Sequence, residues 1–439
     1  VARALKMAKN LSKNSFRSTT PRQLAWELLF EVETLELYSN LIVPRELTNS
    51  NFEQRDKALV TNLVYGTLRM KGFLDAAIKR HLDRGLDQVD LKTLTALRLG
   101  AYQLLILKTP PHAAVNEIVD LAKAVAGKSA ASFVNAIMRR ISENLEFHPS
   151  QWQEKYSHPD WIINAFRDAL KEDAKVEAQL IADNEIALPT LAAWPGRSTH
   201  QELIAAGGEL IPESMNAFSF KGNPGDIPAI RERRAGVQDL GSQLIVEIFH
   251  STKETATAKL RWLDLCAGPG GKAAYLESLL SGDELVVNEP ASARKDLLTQ
   301  VIRSSKIESF DGRDFPETLG NFDRILIDAP CTGLGALRRR PEVRWRRDPK
   351  SVRTLIQLQR ELLNEAALHL NSKGIIGYAT CSPHLAETKL QISDFLRTHK
   401  NFKRVSVGDR ADKDGDLQLW TYKDGTDCMF LSLLQMIEE

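Results

Sequence analysis

Trp262-Leu263-Asp264-Leu265-Cys266-Ala267-Gly268-Pro269-Gly270-Gly271-Lys272 runs from an apolar, strand-forming stretch through three glycines into a helical one. Glycine lets a backbone approach a ligand closely because no Cβ intervenes. The spacing matches neither the GxGxxG of dinucleotide sites nor the GxxxxGK[ST] of phosphate loops, so neither NAD nor ATP is favoured. Glu289 closes the next apolar run, 25 residues after Asp264. That is near the roughly 20-residue interval at which a carboxylate holds a ribose hydroxyl in doubly wound folds. Together they predict a nucleoside-containing cofactor at the switch point of a parallel sheet. A glycine turn alone also serves as an ordinary tight turn, and the residues downstream decide between the two.

Outward from this loop the chain divides by pattern. From Gly236 onward short β-branched runs alternate with helical ones. Leu260 to Leu265, Leu285 to Glu289, Arg324 to Ala329 and Gly374 to Thr380 predict buried strands of βαβ units. Leu417 to Tyr422 and Cys428 to Leu434, around Lys423-Asp424-Gly425, predict an antiparallel edge hairpin. Upstream, Val60, Leu63, Val64, Thr67 and Leu68 share one helical face, as do Leu94, Leu97, Ala101, Leu104 and Leu105. Thr109-Pro110-Pro111-His112 then breaks the period before a face of Val115, Ile118, Val119 and Ala122, so a helical bundle with short turns is expected. The expected organisation is multidomain: a basic tail over 1–20, an all-α bundle over 21–145, a small α+β connector over 146–235 and an α/β domain over 236–439.

Bulk composition excludes little. Lys+Arg is 58 against Asp+Glu 57, a net charge of +1, so any polyanion site must be local. Arg3, Lys6, Lys9, Lys13 and Arg17 precede any acid and read as a solvated tail or an RNA-contacting arm. No apolar run approaches the roughly 20 residues that cross a bilayer, so no membrane partner and a cytoplasmic location are expected. The four cysteines, Cys266, Cys331, Cys381 and Cys428, show no CxxC spacing. Neither a metal site nor a disulfide framework is expected.

Two of those thiols follow predicted strands. Asp328-Ala329-Pro330-Cys331 ends one and Tyr378-Ala379-Thr380-Cys381 another. Carboxyl strand ends line the ligand crevice of an open α/β sheet, so both thiols should face the cofactor. A single cysteine is more often a small core residue; two at equivalent strand ends, one beside an acid, point to chemistry. Methylating cytosine carbon 5 needs this set. A thiolate adds to carbon 6 to make carbon 5 nucleophilic, a carboxyl group counters charge at ring nitrogen 3, and a base removes the carbon 5 proton so that the thiolate leaves.

The combination DLCAGPGGK, DAPCTGLG and ATCS resembles the RNA cytosine-5 methyltransferases. The helical front half resembles the NusB-like RNA-binding domain joined to the bacterial Sun/Fmu (RsmB) members. The resemblance implies a NusB-like bundle and a Rossmann-like methyltransferase domain with a mostly parallel seven-stranded sheet. It implies S-adenosylmethionine as cofactor, held by Cys266, Ala267, Gly268, Pro269, Gly270, Gly271, Lys272, Glu289, Asp328 and either Asp311 or Asp314. Cys381 would be the nucleophile, Cys331 would assist product release and Asp328 would assist at the ring. DNA cytosine-5 enzymes use the Pro-Cys thiol instead, so exchanged roles are the competing assignment. Where family members often carry Glu-Glu-Asn, this chain reads His384-Leu385-Ala386-Glu387-Thr388, which leaves the acidic pair without an assigned role.

Arg338, Arg339, Arg340, Arg344, Trp345, Arg346 and Arg347 crowd the stretch after the Cys331 loop and read as an RNA contact. Arg69, Lys71, Lys79, Arg80 and Arg84 in the bundle read as a second grip or as a solvated face. The substrate expected by analogy is small-subunit (16S) ribosomal RNA, free or in an assembly intermediate, bound by a monomer. A tRNA substrate and a non-catalytic RNA-binding or transcription-related role are the alternatives.

Overall fold

The computed structural model describes residues 19–252 and 259–437. The basic tail falls almost wholly outside them. The described residues form two compact units, 19–164 with 337–346, and 165–336 with 347–437.

The first unit is helical, with Pro21–Thr34, Ser39–Asn49, Gln54–Arg69, Lys71–Lys79, Leu91–Leu105, Pro111–Ala126 and Lys128–Glu143 as its main helices. The first begins where Thr20 accepts a hydrogen bond from the Gln23 amide and Pro21 supplies a preset φ. Leu91–Leu105 is buried on nearly every side from Thr93 to Leu105, which makes it the central helix. The faces read from the sequence meet around it: Val60, Leu63, Val64, Leu97, Ile118, Val134 and Met138 share one core.

The second unit holds two sheets. Strands β1 (Thr190–Ala193), β2 (Gly208–Leu210), β3 (Ala217–Phe220) and β4 (Ala235–Val237) form a small antiparallel sheet in the order β2-β3-β1-β4. The main sheet is built from β5 (Arg261–Asp264), β6 (Glu284–Asn288), β7 (Lys306–Glu308), β8 (Phe322–Asp328), β9 (Leu370–Thr380), β10 (Phe402–Val405), β11 (Leu417–Gln418) and β12 (Phe430–Met436). Its path is β10-β12-β9-β8-β5-β6-β7, with β11 pairing β12 beside it. The expected seven-strand path is present and carries an eighth, two-residue strand. From β9 to β7 all pairs are parallel. Apolar layers cover both faces, which is why these strands read as continuous apolar runs.

Two expectations change. Residues 146–235 are divided between the two compact units: 146–164 cluster with the helices and the rest with the sheets. The small sheet keeps an apolar cluster of its own, with Leu191, Leu203, Phe218, Ile227 and Ala235, while Ala192 and Trp194 join the cluster of Leu244 and Phe249. The expected antiparallel pairing forms, with Leu417 opposite Leu431 and Gln418 opposite Phe430, but not as an edge hairpin with a tight turn. The helix Thr421–Asp424 joins β11 to β12, and β12 lies inside the sheet between β9 and β10, which suits its buried Phe430–Leu434.

Candidate active site

β8 and β9 run parallel with Asp328 opposite Ala379, and the Ala329 amide donates to the Ala379 carbonyl at 2.8 Å. Cys331 and Cys381 follow Ala329 and Ala379 by two residues each, so they leave neighbouring strands at the same edge. None of the four cysteines is in a disulfide. The two loops are tied together by backbone. Gly335 N donates to Cys381 O at 3.0 Å, and Cys428 N donates to Gly335 O at 2.8 Å. A Cβ on Gly335 would stand 2.0 Å from the Cys428 carbonyl oxygen, so only glycine lets these segments meet.

A residue to which sequence reading gave no role lies between them. Glu387 is fully buried in the turn Leu385–Glu387. Its Oε1 accepts from Thr332 N at 2.8 Å and from Gln359 Nε2 at 3.2 Å, and its Oε2 from Thr332 Oγ1 at 2.5 Å and Ser382 Oγ at 2.6 Å. Gln359 Nε2 also donates to the Pro330 carbonyl at 2.9 Å. The sequence signal for Glu387 is its place, six residues past Cys381, in the stretch where family members often carry an acidic pair. Burial, followed by the Glu387 and Asp328 charges, pushes the Cys331 thiol up to about 12.

The glycine loop spans β5 and the helix Gly271–Leu279. Gly270 adopts φ +117°, a conformation that favours glycine. A Cβ on Gly268 would strike the Glu289 carboxylate at 2.1 Å, whereas one on Gly271 would meet nothing nearer than 3.8 Å. Glu289 is buried at the end of β6, where its Oε1 accepts from Ala291 N at 2.8 Å and Arg294 holds the carboxylate. Asn288, which sequence reading missed, fixes both rims: it donates to Leu265 O and Phe310 O at 3.1 Å and accepts from Phe310 N at 2.9 Å. Lys272 Nζ contacts Asp328 Oδ2 at 2.9 Å. Burial opposes the lysine's charge, but Asp328 outweighs it and the Lys272 pKa rises. Asp264 is fully buried beneath the loop; burial and then Asp328 push its carboxyl up to about 8. Burial, and after it the carboxylates of Asp264 and Asp328, holds the Cys266 thiol well above its ordinary range. A bare glycine surface ringed by carboxylates suits a nucleoside that also carries positive charge. Asp311 is exposed, with Arg313 on both of its oxygens, and the Asp314 amide donates to the Asp311 carbonyl at 2.9 Å.

The arginine run is dispersed. Residues 337–346 belong to the helical unit, and Arg344 is fully buried there, donating to Arg69 O and Ser157 O at 3.1 Å each. Arg346 donates to Val32 O and Leu37 O at 2.6 Å and to Glu36 O at 3.0 Å. Trp345 lies under Lys71, 5.7 Å from the ring centre, and presses on Gly72. Arg344 is therefore closed off from an RNA surface, and carbonyls left over at helix and turn ends hold the guanidinium groups of Arg344 and Arg346, while Trp345 and Arg346 stay partly exposed. Arg338, Arg339 and Arg347 are half-buried, and Arg340 is exposed beside Tyr38. In the bundle Arg69 is buried and Lys71 is paired with Glu33, whereas Lys79, Arg80 and Arg84 are exposed.

A parallel sheet with a glycine loop after β5, an acid after β6 and reactive groups after β8 and β9 defines a Rossmann-like methyltransferase fold. Comparison with known proteins agrees. The family described as 16S rRNA methyltransferase RsmB/F matches residues 253–435, and the NusB family matches residues 19–143. A Mycobacterium tuberculosis protein whose name goes no further than methyltransferase is 39% identical, covering 95% of this chain and 96% of its own. The ribosomal RNA small subunit methyltransferase B of Klebsiella pneumoniae is 31% identical over 85% of this chain and 89% of its own. The crystal structure of PH0851 shares the fold with a TM-score of 0.81 at 22% identity, over 95% of this chain and 99% of that one. The chain belongs to the RsmB/F family of S-adenosylmethionine-dependent RNA cytosine methyltransferases, with an N-terminal NusB-type region.

Proposed function

We propose that this protein methylates carbon 5 of one cytosine in small-subunit (16S) ribosomal RNA through a covalent bond from Cys381 to carbon 6. The observation that carries the chemistry is the pair of thiol loops emerging side by side from β8 and β9, with Asp328 between them and the glycine loop. The relatives named as ribosomal RNA small subunit methyltransferase B support the substrate.

Cys381 adds as thiolate to carbon 6, and the electron pair displaced from the ring double bond makes carbon 5 nucleophilic. Asp328, oriented by Lys272, serves ring nitrogen 3, where charge develops. Residues 266–272 and Glu289 would hold S-adenosylmethionine, which would supply the electrophilic methyl group that carbon 5 attacks. A base then takes the carbon 5 proton, and the electron pair of that carbon–hydrogen bond re-forms the ring double bond as the carbon–sulfur bond breaks and the Cys381 thiolate leaves. Cys331 assists at that release. The base must be unstacked to react; Arg338, Arg339, Arg340 and Arg347 are the cations proposed to meet RNA.

The test is to incubate the protein with radiolabelled S-adenosylmethionine and total RNA free of 5-methylcytosine, then map the label. Label in 5-methylcytosine at one small-subunit position is expected; label confined to tRNA would overturn the substrate. Cys381→Ala should abolish both turnover and the covalent RNA adduct, and Cys331→Ala should trap protein on RNA. Adduct surviving in Cys381→Ala would sink the nucleophile assignment.

A further inference from the structure

We propose that Glu387 is a positioning residue for release of the methylated RNA, holding the Cys331 loop in register with the Cys381 loop through its buried carboxylate. The inference rests on the reading of Cys381 as nucleophile and Cys331 as the thiol that assists release.

The geometry is asymmetric. The peptide that carries Cys331 is gripped on both sides: Pro330 O accepts from Gln359 at 2.9 Å, and Thr332 N donates to Glu387 at 2.8 Å. Gln359 in turn donates to Glu387 at 3.2 Å, so one network clamps both peptide groups that flank the thiol. Thr332 adds a second bond through Oγ1 at 2.5 Å. The Cys381 side is held by Glu387 through Ser382 Oγ alone, at 2.6 Å, and by the Gly335 amide through the Cys381 carbonyl. Tyr378, on the strand that leads to Cys381, donates its hydroxyl to the Glu387 carbonyl at 2.9 Å and fixes the turn itself. Four donors thus converge on two oxygens that no solvent reaches, and two of the four come from the residue after Cys331. Removing the carboxylate frees the Cys331 loop more than the Cys381 loop. Attack should survive and release should fail.

The experiment uses full-length protein with RNA free of 5-methylcytosine and S-adenosylmethionine, quenched in denaturant over time to count covalent adduct and 5-methylcytosine separately. Glu387→Ala is expected to slow release roughly 10-fold, so that adduct accumulates while the KM for RNA changes little. Glu387→Gln should restore most of the rate. Its amide oxygen can keep the Thr332 and Gln359 bonds while its NH2 donates to the two hydroxyls, which can turn to accept. Thr332→Val carries the same test if Glu387→Ala does not fold, because it removes the 2.5 Å bond with little change of volume. An unchanged ratio of adduct to product in Glu387→Ala or Thr332→Val would overturn the proposal. So would a Gln variant no better than the Ala one, since charge and not position would then matter. Absence of adduct from the unmodified protein would instead overturn the nucleophile reading on which the proposal rests.

Discussion

Arg344 in the helical unit and Glu387 in the sheet unit are both charged and both fully buried, yet they serve different purposes. Arg344 forks onto two backbone carbonyls, of Arg69 and Ser157, that lie 275 and 187 residues away in sequence. Its partners are the leftover acceptors of a helix end and a turn, so its contribution is to hold residues 337–346 in the bundle. Glu387 gathers donors from residues adjacent to two reactive thiols, and its contribution is to geometry at a site. The pair teaches that burial of a charge does not say what the charge is for. The neighbours of its partners do.

The largest effect is expected at Gly335. Gly335→Ala drives a methyl group to within 2.0 Å of the Cys428 carbonyl oxygen and 2.9 Å of the Cys381 carbonyl carbon if nothing yields, and so strains the seam between the two thiol loops. A displacement on the order of 1 Å at reacting groups costs about 100-fold in rate. We expect kcat to fall by about that factor with much of the fold retained, measured by methyl transfer alongside thermal melting. Wild-type kcat in this variant would show that the loops need no fixed register.

Arg344 sharpens the comparison from the other side. Arg344→Lys keeps the charge but not the planar fork that reaches two carbonyls. The expected cost is about 2 to 3 kcal/mol of stability, the range for hydrogen bonds to a charged group, seen as a lower melting temperature of the helical unit. The salt dependence of RNA binding should be unchanged, because that slope counts phosphate contacts. A shallower slope with unchanged stability would restore Arg344 to the RNA surface.

These two residues also mark what the sequence could and could not disclose. β5, β6, β8 and β9 were legible because both faces of their sheet are covered, which leaves long apolar runs. β7, Lys306-Ile307-Glu308, was not, since a three-residue strand of mixed exposure has no period to detect. Asp328, Cys331, Cys381 and the glycine loop were legible as residue types at strand ends. Arg344 misled because its acceptors are main-chain oxygens, which no side-chain pattern announces. Glu387 was passed over because its donors, a threonine, a serine and a glutamine, are common everywhere and converge only in three dimensions. Asn288, bracing the cofactor loop through backbone groups, escaped for the same reason.

Asp264 supplies the cleanest test, because it is buried like the other two but lacks their partners. Neither carboxyl oxygen has a well-formed hydrogen bond, and the nearby Cys266 amide favours the charged form only weakly. Burial, and after it the Asp328 charge, raises the folded carboxyl to about 8 from an ordinary 3.8. The sign follows from linkage: the unfolded chain gives up this proton near the ordinary value while the folded chain keeps it until about 8. Asp264 therefore lowers stability progressively as pH rises between those values and adds no further slope above them. Asp264→Asn has nothing to ionise, so melting temperature should decline less over that interval, with the largest gain over the parent near pH 8. A pH profile parallel to the parent's would mean that Asp264 is already ionised in the folded protein, held by Lys272 in spite of its burial, and that all three buried charges are satisfied by their surroundings.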